Sequence, residues 1–361
     1  MPTLSLCMIV RNEETVLARC LESARAAVDE IVIVDTGSAD RTRAIAQAYT
    51  PHVYDFPWCD DFAAARNFSF SKATMDYCLW LDADDVLQDA QGLRRFMDDL
   101  DAQVDVVMMP YCLFVNEDAA QPSLTYARER IVKRSPALFW QGVVHEVIVP
   151  VGRVCDAPFA VHHRKKGPGD PDRNLRIYEK RLSQGAALSP REQYYFAREL
   201  LDHGQYARAE SQLRAFLSGQ KGWLEDNLCA CRLLARCNEA QGKEDQALDA
   251  LLHALRYAPP RAELCCDLGA WFMRHGDDRT AIFWYQTALG CDPADSAYGF
   301  TEPDCYDFLP YLQLCVCYDH LGDRENALRC HAHTVALRPQ HPSVVHNSAY
   351  FGFPPNGQGD A

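Results

Sequence analysis

Positive charge is in short supply in this chain. Its 36 lysines and arginines face 50 aspartates and glutamates, leaving a net charge of −14 over 361 residues. A nucleic-acid binder normally carries a basic footprint, so no nucleic-acid partner is expected. The same deficit disfavours docking on anionic lipid. No stretch approaches the ~20 consecutive apolar residues of a membrane span, so no transmembrane segment is expected. The run Met1 to Val10 has no basic n-region and reads as a first β-strand, not as a secretory signal. Without a signal, sixteen cysteines imply reduced thiols and a cytoplasmic location. They form no CxxC pair. Cys229, Cys231 and Cys237, Cys265 with Cys266, and Cys315 with Cys317 fall in helical stretches, where small apolar side chains pack helices together. A zinc site is the less favoured alternative. The GxGxxG turn of a dinucleotide oxidoreductase is also missing after the first strand. Arg11-Asn12-Glu13 stands there, which argues against hydride chemistry.

What is present divides into two halves. The length exceeds one ordinary domain, so two are expected, and 48% apolar residues suffice for sizeable cores. Leu4 to Val10 is an apolar run of strand length. Asn12 can cap a following helix, in which Val16, Leu17, Cys20 and Leu21 keep helical spacing. Glu30 to Asp35, Val53 to Phe56 and Tyr77 to Leu81 read as strands. Asp40 to Tyr49 and Ala63 to Ala73 read as the helices between them. Strands alternating with helices imply a mainly parallel sheet with covered faces. Val104 to Phe114, Glu129 to Lys133, Val143 to Val149 and Ala160 to His163 crowd closer together, as an antiparallel extension would.

Beyond about Pro190 the chain is helical and periodic. Gly204, Gly242, Gly276 and Gly322 each align as the turn of a helix pair, followed in the last three units by Ala247, Ala281 or Ala327 and by Pro259, Pro293 or Pro339. Gly242 and Gly276 stand 34 residues apart, the tetratricopeptide period. Gly276 to Gly322 carries an insertion around Ala294 to Tyr306, aromatic at Tyr298 and Phe300.

The densest chemistry is Asp82-Ala83-Asp84-Asp85, directly after the strand Tyr77 to Leu81. Carboxylates at i and i+2 can share the open edge of a parallel sheet, where ligands bind. Such an oxygen-rich set suits Mg²⁺ or Mn²⁺, which can bridge a diphosphate. Alone, the motif is as readily a solvated acidic turn. Arg11 to Glu13, Asp35 to Asp40 and Arg66-Asn67 also fall at or near strand ends, and together they suit a nucleotide diphosphate. An aspartyl-phosphate phosphatase would fit DADDV literally, but three strand units precede the motif here.

These segments, LSLCMIVRNEE, EIVIVDTGSADRT, CDDFAAARNFSF and WLDADD, resemble the family 2 glycosyltransferases of the GT-A fold. With the repeats behind them, the chain is similar to bacterial peptide S-glycosyltransferases of the sublancin type. The catalytic half also resembles lipopolysaccharide-core transferases. The resemblance implies an α/β GT-A (Rossmann-like) domain over 1–165, a linker helix region over 166–190, tetratricopeptide-like repeats over 191–345 and a tail over 346–361. It implies a UDP-sugar donor and Mn²⁺ or Mg²⁺. Val10, Arg11, Asn12, Glu13, Asp35, Arg66 and Asp82 would hold the nucleotide. Asp84 and His163 would hold the metal, while Arg164 and Lys165 screen diphosphate charge. Transfer in this family mostly inverts the anomeric centre, which needs one general base. Glu146 is the expected base, in a strand-like run with His145 as the alternative or as a group that orients the acceptor. Trp58, Asp60 and Asp61 either shape the sugar pocket or cap a helix. Asp170 to Lys180 bridges to the repeats. The repeats favour a peptide or protein acceptor, with a glycan as the alternative, and homodimerisation or scaffolding as a competing role. A repeat-based binding module with an inactive transferase domain is the non-enzyme reading.

Overall fold

The computed structural model describes residues 1–114, 121–164, 166, 169–293 and 299–353. The chain forms two compact units, Met1–Glu192 and Gln193–Ala361.

The first unit runs β1 (Leu4–Val10), α1 (Leu17–Ala24), β2 (Glu30–Asp35), α2 (Thr42–Tyr49), β3 (Val53–Asp55), α3 (Phe62–Lys72), β4 (Tyr77–Trp80), β5 (Asp85–Leu87) and α4 (Ala90–Asp98). It continues through β6 (Val104–Leu113), β7 (Leu124–Lys133), β8 (Trp140–Gln141), β9 (Val147–Ile148), β10 (Arg153–Asp156), β11 (Val161–His163) and α5 (Arg173–Ser183). Among the described residues, the main sheet has the order β3-β2-β1-β4-β7-β6-β11-β5, with β10 also paired to β6. β3, β2, β1 and β4 are all parallel. Alternation along β1 explains why it is apolar throughout. Leu4, Leu6, Met8 and Val10 enter one core with Leu17, Leu21, Leu93 and Met97. Cys7 enters the other core, beneath Ala63, Trp80 and Trp140. Both faces are covered, as a parallel sheet requires.

Three local expectations change. The extension after β4 is mixed: β7 is antiparallel to β4 and β6, whereas β10 and β11 run parallel to β6. Close spacing of the strands suggested an antiparallel extension, which holds for β6 and β7 but not for β10 and β11 against β6. The run Val143 to Val149 is broken, because Gly142 and His145 both take positive φ (92° and 53°) and turn the chain between β8 and β9. Asn12 caps no helix. Its own φ is 56°, α1 starts only at Leu17, and its side-chain oxygen accepts from the Ala39 N–H at 2.8 Å.

The second unit is built from α6 (Pro190–Asp202), which starts just before it, α7 (Tyr206–Gly219), α8 (Leu224–Glu239), α9 (Glu244–His253), α10 (Ala262–Arg274), α11 (Asp278–Leu289), α12 (Phe308–His320), α13 (Arg324–Leu337) and α14 (Pro342–Phe351). The four expected turn glycines lie between successive helices with φ of 69°, 69°, 77° and 75°. After each, an N–H reaches back five residues, as from Asp277 to the Phe272 carbonyl at 3.0 Å and from Asp323 to that of Tyr318 at 2.9 Å. This is the glycine-ended Schellman stop, repeated. The tail expected from 346 begins inside α14, which runs to Phe351. Tyr298 and the rest of 294–298 lie outside the described residues.

Candidate active site at the acidic strand end

The parallel strands end together, and β4 carries the acidic turn. Asp85 is fully buried and organises it. Its Oδ2 accepts from the Asp82 N–H at 3.0 Å and from Arg130 Nη1 at 3.1 Å. Its Oδ1 accepts from the Tyr111 hydroxyl at 3.0 Å. Arg130 is itself fully buried, with its guanidinium 3.8 Å from the Trp80 ring centroid and 4.1 Å from that of Tyr111. A dry carboxylate needs such a partner. With Asp85 held inward, Asp82 and Asp84 are presented toward the sheet edge.

Strand β11 brings in the histidine. His163 pairs with Asp85 in the β5–β11 ladder, and its Nδ1 lies 3.3 Å from Asp84 Oδ1 and 3.2 Å from Asp85 Oδ1. Asp84, Asp85 and His163 offer ligand atoms all within 4.8 Å of one another. Two carboxylates and an imidazole suit a divalent cation. The fields around them are strong. Burial, then the charges of Asp82 and Asp85, push the Asp84 carboxyl up to about 6 against the pull of His163. Burial disfavours the imidazolium of His163, but Asp85 and Asp84 outweigh it and raise its pKa. Burial likewise opposes ionisation of Asp82, yet Arg66 and Arg130 hold its carboxyl well below the usual range.

Helix α3 supplies the cation that faces Asp82. Asp61 caps it by accepting from the Ala64 N–H at 2.9 Å, and Ala63 and Ala65 let it lie close to the sheet. Arg66 is thereby buried against the Trp80–Trp140 pair, its Cζ 5.0 and 4.8 Å from their centroids. Its Nη2 donates to Asp82 and its Nε to Glu146, both at 2.6 Å. The β8–β9 turn thus sets Glu146 beside the acidic strand end, 80 residues along the chain from its partner.

The β1 and β2 ends close the remaining side. Glu13 N–H donates to Thr42 Oγ1 at 2.7 Å. Burial, then Asp84, Asp82 and Asp40, push the Glu13 carboxyl up to about 7, with Arg173 opposing. A cavity of about 470 Å³ is lined by Val10, Arg11, Glu13, Arg66, Asp82, Asp84, His145, Glu146 and His163, and also by Thr36, Trp58, Trp80, Tyr111, Tyr126 and Arg128. Asn12 lines the adjoining cavity, of about 1150 Å³, with the Arg173–Lys180 face of α5. Asp35 lines neither. Its carboxylate is turned into its own loop, where it accepts from the N–H groups of Gly37 and Ser38 and from the Ser38 hydroxyl. Thr36, the next residue, lines the first cavity instead. Arg164 lies over Phe114 at 3.7 Å, and Lys165 lies outside the described residues.

Residues 5–148 match the sequence profile of Glycosyl transferase family 2. A TPR repeat-containing protein of Synechococcus elongatus is 31% identical over 82% of this chain and 68% of its own length. The chain belongs to glycosyltransferase family 2. It is a glycosyltransferase whose α/β GT-A-type unit is followed by a tetratricopeptide-type helical unit. Lipopolysaccharide core biosynthesis glycosyltransferase LpsC of Rhizobium meliloti is 32% identical over 43% of the chain and 60% of that protein. The SPbeta prophage-derived glycosyltransferase SunS of Bacillus subtilis is 25% identical over 66% of the chain and 60% of that protein.

Several residues in and behind this family 2 transferase's cavity carried no expected role. Arg130, Glu129 and Arg128 are a charged run inside a strand that must cross the sheet. That conflict was the available signal, since a charge in a central strand demands a buried partner. Trp80 read only as part of a strand, and Trp140 had no expected role. Arg173 and its α5 neighbours read as a bridge, yet they line the cavities. Of the Trp58 cluster, Trp58 does line both cavities. Asp61 caps α3, and Asp60 binds Lys180 Nζ at 2.5 Å. Among the described residues no helix is long and apolar enough to cross a membrane.

Proposed function

We propose that this transferase moves a sugar from a UDP-sugar to an acceptor in one inverting displacement, with Mn²⁺ or Mg²⁺ at the acidic turn. The observation that carries this reading is the grouping of Asp84 and His163, backed by the buried Asp85, on the wall of a cavity that Glu146 also lines. In this reading Asp84 and His163 ligate the ion, while Asp85 remains with Arg130. When bound, a divalent cation supplies positive charge to the diphosphate as the glycosidic bond breaks. Val10, Arg11, Asn12, Glu13 and Asp82 hold the nucleotide, and Asp35 serves it through the shape of its loop. Arg66 carries the charge balance at Asp82. Glu146 takes the acceptor proton as its oxygen or sulfur attacks C1, and His145 beside it orients the acceptor.

The acceptor is a peptide or protein side chain, a reading supported by the sublancin-type resemblance and by the helical unit, whose repeats would bind it. A glycan core is the second reading, favoured by the likeness to LpsC. Self-association is the competing role for the repeats. Release of UDP from UDP-glucose or UDP-N-acetylglucosamine with Mn²⁺, with and without acceptors, tests the reaction. Asp84→Ala should abolish metal-dependent UDP binding. Glu146→Gln should keep binding and lower transfer at least ~100-fold. Absence of UDP release and of metal-dependent UDP binding with every donor would sink the proposal.

A further inference from the structure

Arg66 was expected to lie with the nucleotide. Its surroundings describe a different task. Both of its engaged nitrogens serve protein carboxylates, Nη2 on Asp82 and Nε on Glu146. Two nearly perpendicular indoles, Trp80 and Trp140, pack against it, and 7% of its surface is exposed. A guanidinium is a rigid planar fork. The packed indoles and the carboxylates on two of its nitrogens hold that fork in one orientation.

The Glu146 carbonyl accepts from Arg128 Nη2 at 3.4 Å, while its carboxylate is taken by Arg66. Glu146 follows a left-handed residue, His145, in a turn between two strands of two residues each. Helix α3 secures that hairpin at three residues, the first being Phe62, whose N–H donates to the Val143 carbonyl at 2.9 Å. Asn67 exchanges hydrogen bonds with the Trp140 backbone, donating to its carbonyl at 3.0 Å and accepting from its N–H at 2.9 Å. One residue earlier, Arg66 takes the carboxylate. The same helix turn therefore fixes the hairpin's backbone and aims its acidic side chain.

We propose that Arg66 is a positioning residue, a rigid coupler that aims the proton acceptor Glu146 from the donor side of the cavity through Asp82. Because one guanidinium bridges the two carboxylates, a change at Asp82 on donor binding moves the partner of Glu146 as well. One oxygen of Glu146 stays with Arg66 Nε, which leaves the other for the acceptor. This inference rests on the reading of Glu146 as the base.

Four variants of the full chain test it: Arg66→Met, Arg66→Lys, Glu146→Gln and the double variant Arg66→Met/Glu146→Gln. Transfer kinetics are read together with calorimetric binding of UDP in Mn²⁺ and with circular dichroism. Misplacing a reacting group by ~1 Å costs about 100-fold, so Arg66→Met should lower kcat by about that factor. UDP affinity should change by less than ~3-fold. Adding Glu146→Gln should lower kcat no further, since groups acting as a unit are not additive. Lysine keeps the charge but reaches one carboxylate, so Arg66→Lys should fold even if methionine does not, and should lose about 10-fold in kcat at unchanged UDP affinity. Wild-type kcat in Arg66→Lys, or multiplying effects in the double variant, would overturn the inference. So would a loss of UDP affinity equal to the loss of kcat/KM, which would return Arg66 to the nucleotide. If Glu146→Gln transfers at the wild-type rate, the base assignment falls and this inference with it. If only Arg66→Met is active, the base stands and the coupling alone fails.

Discussion

Asp84 and Asp85 are adjacent and chemically identical, yet they occupy different worlds. Asp85 is sealed in with Arg130 and Tyr111, while Asp84 is partly open and lines the cavity. Removing one partner of a buried pair leaves an uncompensated charge. Arg130→Met should therefore destabilise the first unit by about 3–5 kcal/mol in urea unfolding. The exposed pair of Arg43 and Asp55 is a built-in control: Arg43→Ala should leave the unfolding midpoint nearly unchanged. The acidic cluster also sets a pH dependence. Asp84 and Glu13 have folded pKa values raised to about 6 and about 7, mainly by burial. A raised carboxyl binds protons more tightly in the folded state, so its stabilising contribution is complete below the unfolded pKa. It is lost as pH rises through the folded value. In chelator, this contribution should fall between about pH 4 and pH 7. Asp84→Asn and Glu13→Gln should each flatten that slope in urea titrations. Asp82 has the opposite sign and loses its contribution only below the normal carboxylate range.

Elements show where sequence patterning succeeds and where it stops. The β1 run and the glycine-punctuated helices were legible because burial on both faces and left-handed stops leave local marks. Gly276 stands in open space at φ 77°, so its role is conformational. Gly269 is different, because a Cβ there would meet the Tyr285 ring at 2.8 Å. Tyr285 is 1% exposed and has nowhere to go. Gly269→Ala should thus cost about 1–3 kcal/mol through overpacking of α10 on α11, despite alanine's better helix propensity. Helical circular dichroism in denaturant would measure it, and a stabilised variant would refute the contact. The β8–β9 hairpin was misread as one strand. Its valines and isoleucine favour a strand, and no local rule forces His145 into the left-handed region. The turn is held from outside, through the Val143 carbonyl accepting from Phe62 and through Asn67 on Trp140.

At the scale of the whole molecule, two units with separate cores lead us to expect two unfolding transitions in calorimetry. A ligand that binds only the folded first unit raises only that unit's transition. UDP with Mn²⁺ should therefore shift one transition and leave the other in place, and Asp84→Ala should remove the shift. The sequence by itself determined the family, the alternation of the first four strands with their helices, the helical repeats and the acidic turn after β4, because strand ends and helix stops are local in chain and pattern. Tertiary structure alone decided how those residues are used. It turned Asp35 into its loop, sealed Asp85 against Arg130, and brought Arg66 to Glu146 across 80 residues. Such pairings depend on sheet order and on which charges are dry, and neither quantity is encoded in spacing along the chain.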